Sequence, residues 1–191
     1  KVPDASNGLM RHVAERFAFR AVRNRGTIGG AIALADPAAD WLPTVIALGA
    51  RLHVAGPEGE RIIPAEEFVL GPYFTALGEG EILVGVEVPK LAASARWGYS
   101  KVTTKVGEYA ESMAIAVVDR ARRSARIVLG AADGAPIVLA DLAARLLDGT
   151  RPEDLAAAIR AELVASERDF APAKLVMHTT TIVRAARDAV S

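Results

Sequence analysis

Apolar residues recur four apart at Leu9, Val13 and Phe17, which predicts an amphipathic helix of about two or three turns. Ser6 or Asn7 stands where a cap belongs, and residues 1–8 before it read as linker. Residues 36–48 read as a second helix, with Asp36 as N-cap, Pro37 at the first helical position and Gly49 just past the end. Pro43 lies inside it and allows a kink. The period then shortens to two. Arg51-Leu52-His53-Val54 alternates, Pro57-Glu58-Gly59-Glu60 turns, and Arg61-Ile62-Ile63 returns, which predicts a hairpin. Residues 65–68 read as one helical turn, 71–77 as irregular and apolar, and 81–88 as a strand stopped by Pro89.

Residues 90–95 are small and polar, and the main internal boundary is expected there, dividing the chain into 1–95 and 96–191. Three strands are expected beyond it, at 97–104, 109–119 and 125–131, with Arg120-Ala121-Arg122-Arg123 as a solvated turn. The last third is helical. One helix at 139–147 ends at Gly149, and Thr150-Arg151-Pro152-Glu153 has the form of a capping box opening a helix to about Ser166. A final helix starts at Pro172, and Thr179-Thr180-Thr181 in its middle must be held by packing. Strands followed by helices define an α+β class.

Composition narrows the function. The chain has 191 residues, with 23 Lys+Arg against 23 Asp+Glu, so no basic excess suggests nucleic acid. No apolar run approaches a membrane span. Cysteine is absent, which excludes disulfides, thiolate metal sites and cysteine nucleophiles. That composition is compatible with a cytoplasmic protein, and any iron–sulfur centre must sit on another chain. His12, His53 and His178 lack metal-site spacing, and no serine sits in a G-x-S-x-G elbow.

The chemistry concentrates in Asn24-Arg25-Gly26-Thr27-Ile28-Gly29-Gly30 and in Ala35-Asp36-Pro37-Ala38-Ala39-Asp40. Gly26, Gly29 and Gly30 let a backbone approach a ligand closely, and a glycine-rich turn feeding toward a helix start suits phosphates. The spacing matches neither a Walker A loop nor G-x-G-x-x-G, and on pattern alone a tight turn beside a close helix contact is the favoured reading of the glycines.

With Arg23 added, the whole phrase resembles a signature of the flavin-binding medium subunits of molybdenum hydroxylases, among them carbon monoxide dehydrogenase and the FAD domains of xanthine dehydrogenases. The resemblance continues through Gly71-Pro72-Tyr73-Phe74-Thr75-Ala76-Leu77 and Gly80-Glu81-Ile82-Leu83. It extends to Trp97-Gly98-Tyr99-Ser100-Lys101 and Gly107-Glu108-Tyr109-Ala110, in the family's order over almost the full chain. It implies that residues 1–95 form the larger, second subdomain of a PCMH-type FAD-binding fold. Residues 96–191 would be the C-terminal domain, a three-stranded antiparallel sheet with a helical bundle.

The same resemblance implies site roles. Thr27, Ile28, Gly29 and Gly30 match the T-I-G-G that approaches the FAD diphosphate. Asp40 matches the acid that bonds the adenosine end, and Phe17 a position near the adenine. Leu83 and Lys101 match positions lining the flavin or its ribityl chain, with Lys101 a charge that would stabilise reduced flavin. Tyr109 matches an aromatic beside the isoalloxazine ring. Each has a plainer reading: core face for Phe17, helix-dipole partner for Asp40, exposed strand lysine for Lys101 and sheet tyrosine for Tyr109. The implied function is electron transfer. Electrons would pass from molybdopterin on a large subunit, through [2Fe-2S] clusters on a small subunit, to FAD here and on to NAD or a quinone. Ala31 replaces the family's Asn and Glu108 its Asp. The family's A-G-G-Q-S-L loop, on a smaller preceding subdomain, has no counterpart among these residues. The alternative is therefore a truncated or non-catalytic fragment that keeps the fold and docking surface without binding FAD.

Overall fold

Burial of alternate faces builds two main antiparallel sheets and one two-stranded ribbon in the computed structural model, which describes residues 4–191. Of the expected linker, Lys1, Val2 and Pro3 lie outside the described residues. The rest of it is pinned rather than loose. Leu91 N–H donates to Ala5 O at 2.8 Å, and Asn7 Nδ2 donates to Ala92 O at 2.8 Å. The N-cap position of the first helix falls to Gly8, with φ 94° and no side-chain cap bond, instead of Ser6 or Asn7; the Ser6 hydroxyl accepts Met10 N–H at 3.0 Å from just outside the helix. Helix α1 (Leu9–Arg16) then buries Leu9 and Val13, as their spacing requires.

A short turn, α2 (Arg20–Arg23), leads to α3 (Ile28–Leu34), and α4 (Trp41–Ala47) follows. The expected helix over 36–48 is corrected here. The Asp36 carboxylate accepts Ala38 N–H at 3.0 Å in a turn, and Pro37 O accepts Ala131 N–H at 3.1 Å. The helix start lies instead inside the glycine phrase, where the Thr27 hydroxyl accepts Gly30 N–H at 3.0 Å.

The hairpin β1 (Arg51–Gly56) and β2 (Gly59–Pro64) pairs Leu52 with Ile63 and turns at Pro57-Glu58. After one helical turn, α5 (Ala65–Phe68), the apolar stretch forms a minute hairpin of β3 (Val69–Gly71) and β4 (Phe74–Thr75). Strand β5 (Ile82–Glu87) pairs with β1, giving the order β2-β1-β5.

The second sheet is β6 (Arg96–Val102), β7 (Ser112–Asp119), β8 (Ser124–Gly130) and a two-residue β9 (Ile137–Val138), paired in sequence order. β9 adds a short fourth strand to the three expected. Every residue of β7 is buried because both faces of the sheet are covered. Ile115 and Val117 join the core that holds Leu42 and Ile46 of α4. Ala114, Ala116 and Val118 face the core formed by α6 (Ala140–Leu147), α7 (Ala156–Ala165) and α8 (Pro172–Val190).

Small residues on that second face let α8 come close. A Cβ on Gly98 would lie 1.9 Å from Ala185 O, so only glycine permits this crossing. The threonines of α8 are held partly by their own hydroxyls, each donating four residues back, to Leu175, Val176 and Met177 at 2.7–2.9 Å. The capping box does not form. A 3₁₀ turn (Pro152–Leu155) precedes α7 without a side-chain cap, and Glu153 bonds Arg187 at 2.7 Å instead.

Candidate functional site

A cavity of about 780 Å³ opens where α1, α2, α3 and α4 converge on the loop before β7. Its walls include Phe17, Thr27, Gly30 and Trp41 from the helical segment, and Gly107 and Tyr109 from the loop. The chain reverses sharply at Ala18, whose φ is 48°. The Arg23 guanidinium fixes that reversal by donating to Phe17 O at 2.9 Å and Ala18 O at 2.5 Å. Phe17 meets Trp41 edge-on, ring centres 5.7 Å apart. Gly107 has φ +89° and lies so close to Phe19 that a Cβ would fall 2.7 Å from its ring. The loop is thereby seated against the α1–α2 connection. Phe19 and Tyr109 nevertheless stay 57% and 64% exposed, and present aromatic surface at the mouth.

Beneath this surface lies a charged network. Asp40, at the start of α4, is buried, and Lys101 of β6 keeps 9% of its side chain exposed. Lys101 Nζ donates to Asp40 Oδ1 at 2.9 Å and Oδ2 at 3.0 Å, and the Tyr99 hydroxyl donates to Oδ1 at 2.9 Å. Burial, then the negative charge of Asp40, pushes the Tyr99 hydroxyl far above its ordinary range, so it stays a donor. Oδ1 is saturated by two donors, while Oδ2 keeps an acceptor position. Asp40 stands at the N-cap position of α4 but makes no side-chain cap bond; its carboxylate anchors α4 to β6.

A second carboxylate, Asp36, sits at the cavity edge and accepts the Tyr73 hydroxyl at 3.1 Å. That bond, with the negative charge of Asp36, pushes the Tyr73 hydroxyl above its ordinary pKa and keeps it protonated. For Tyr109, burial comes first and Asp36 adds to it. Among the described residues no group of His, Asp or Glu is arranged to hold a metal ion.

Of the residues singled out by sequence, Phe17, Thr27, Gly30, Asp40 and Tyr109 line the cavity. Ile28, Gly29, Leu83 and Lys101 do not. Gly29 faces Leu83 of β5, whose Cδ2 would lie 4.0 Å from a Cβ there, so this pair packs α3 onto the first sheet. Lys101 is no exposed strand lysine; its charge is committed to Asp40. Tyr109 precedes β7 instead of lying in it. Sequence reasoning passed over Arg25, Asp36 and Trp41 as cavity residues, although all three stand in or beside the phrase already singled out.

The fold places this cavity beside the T-I-G-G phrase. Residues 2–91 match the family described as the FAD binding domain in molybdopterin dehydrogenase. The chain resembles carbon monoxide dehydrogenase from Hydrogenophaga pseudoflava with a TM-score of 0.77 and 30% identity, covering 95% of this chain and 67% of that one. The reconstituted CO dehydrogenase from Oligotropha carboxidovorans gives a TM-score of 0.84 at 29% identity, covering 95% and 66%. In sequence, the carbon monoxide dehydrogenase medium chain of H. pseudoflava is 42% identical over 102 residues, 53% of this chain and 36% of that protein. The glyceraldehyde dehydrogenase medium chain of Sulfolobus acidocaldarius is 39% identical over 110 residues, 57% and 39% respectively. The chain belongs to the FAD-binding medium subunits of the molybdenum hydroxylase family. The matched segment spans well under half the length of these curated relatives.

Proposed function

We propose that this chain carries FAD in a molybdenum hydroxylase. It would receive electrons from iron–sulfur clusters on a small subunit, fed by molybdopterin on a large one, and deliver them to NAD or a quinone. One observation carries the reading: Phe17, Thr27, Gly30, Asp40 and Tyr109, far apart in sequence, converge on one cavity. Its volume, about 780 Å³, lies within the range usual for ligand sites, roughly 300–1,000 Å³. Its donor set fits the group: aromatic walls for flat rings, small residues at Gly26 and Gly30, and a threonine hydroxyl beside them.

When bound, FAD supplies the redox chemistry, accepting electrons and passing them on. The protein's part is placement. The first N–H groups of α3 have no intrahelical acceptor; Thr27 and Gly30 bring that helix start to the cavity wall, and Ile28 and Gly29, which do not line it, would hold the start in shape. The Thr27 hydroxyl accepts from Gly30 and can still donate. Asp40 would receive a hydroxyl at Oδ2, held in place by Lys101. Leu83 would act from behind, by seating Gly29. Phe17 and Tyr109 would bracket the rings. The parts 1–95 and 96–191 would share the site, since the Tyr109 loop and Lys101 belong to the second. No helix among the described residues is long and apolar enough to cross a membrane, and the cytoplasm is the compartment we infer.

The test is to isolate the assembly that contains this chain and measure flavin, molybdenum and iron together. The reading expects all three, and dye reduction that depends on a substrate oxidised at molybdenum. An assembly without molybdenum or a large subunit would favour the fragment alternative.

A further inference from the structure

The charges around the cavity are unequal. Asp36, Asp40, Glu108 and Glu111 line it, and Arg25 is the one cation among its described lining residues. Asp40 is neutralised by Lys101, and Glu111 lies 3.9 Å from Lys174. Asp36 and Glu108 remain, Asp36 accepting the Tyr73 hydroxyl at 3.1 Å and Glu108 standing next to Tyr109 in the loop. A ligand bearing phosphates is repelled there and attracted to Arg25.

Arg25 is held ready by its backbone. Its N–H donates to Val22 O at 3.1 Å, and the next N–H, of Gly26, donates to the same oxygen at 2.7 Å. Its side chain is exposed and makes no ion pair or hydrogen bond among the described residues. Its neighbour Arg23 is spent on the Phe17 and Ala18 carbonyls. Arg20 is equally exposed but does not line the cavity.

We infer that Arg25 is the phosphate-reading residue of this cavity, pairing its guanidinium with the diphosphate of a dinucleotide and setting the preference for phosphorylated ligands. This rests on the FAD reading above and adds a residue to it. Guanidinium suits the role because its planar fork donates two parallel hydrogen bonds to phosphate oxygens. The pair forms at the protein surface, so salt weakens it.

The experiment is a titration of the full chain with FAD, followed by flavin fluorescence, at low and high salt. Arg25→Gln is expected to weaken binding about ten- to a hundredfold at low salt and to flatten the salt dependence. Arg25→Lys should recover part of the loss, and Arg20→Gln should match the parent. The Arg25 side chain makes no hydrogen bond or ion pair among the described residues, so thermal unfolding of these variants should coincide with the parent's. If Arg25→Gln binds FAD within about twofold of the parent, or keeps the parent's salt dependence, the role of Arg25 is overturned while the FAD reading stands. If the parent binds no FAD, both are overturned.

Discussion

A buried carboxylate must replace the water it has lost, and Asp40 does so with one ammonium and one phenol. Breaking such a pair from one side leaves a charge stranded in apolar surroundings. Lys101→Met is therefore expected to destabilise the fold by about 3–5 kcal/mol, and Asp40→Asn by a similar amount. The double variant should lose less than the sum, because neither group is then left alone. Urea unfolding of the four proteins checks this. Additive losses would mean the pair is not coupled.

His178 gives the chain a separate dependence on pH. It is fully buried on α8, its Nδ1 2.8 Å from Ser112 Oγ, with Phe170 edge-on at 4.9 Å. Burial, reinforced by Lys174 and opposed by Asp133, lowers its pKa from 6.5 to about 4. Between those values the unfolded chain takes up a proton that the folded chain refuses. Stability is therefore complete above the unfolded value and falls as pH drops through the window. The loss should reach about 2 kcal/mol between pH 7 and pH 5. His178→Gln should remove that part of the slope in urea unfolding measured at both pH values, leaving only what other groups contribute.

At the scale of elements, β6 crosses α8 closely at Gly98. Gly98→Ala drives a methyl into the Ala185 carbonyl and toward Ala189 N, both backbone, so neither can swing aside. The expected cost is about 3 kcal/mol or more, read as a drop in the unfolding midpoint. Much of this level was legible in the sequence. Leu9 and Val13 placed α1, alternation placed the β1–β2 hairpin, and Pro172 opened α8. The failures share a cause. An aspartate that accepts the N–H two residues on looks the same whether a helix follows or a turn closes. At Asp36 the choice fell to the turn, with Ala131 reaching Pro37 from just past the end of β8. Thr27 was hidden as a cap by the glycines after it, which are poor helix formers. Gly29 is tolerated in α3 because Leu83 packs against it. The pairing of Asp40 with Lys101, 61 residues on, left no local trace.

For the whole molecule, the second sheet is the common support. Ile115, Val117 and Val128 belong to the core beneath α4, so the helices that wall the cavity rest on strands beyond residue 96. Residues 1–95 expressed alone would lack those strands and both donors to Asp40. That segment is expected to unfold without a sharp transition, whereas the full chain should unfold cooperatively. Circular dichroism against temperature separates the two outcomes. The site depends on the same union, with the T-I-G-G wall from the first part and the Tyr109 wall from the second. The central claim, that these walls together receive FAD, is tested most directly by mixing the full chain with FAD, passing it through gel filtration and recording the visible spectrum of the protein fraction. Flavin absorption co-eluting with the chain is the predicted result; a protein fraction that stays colourless would contradict it.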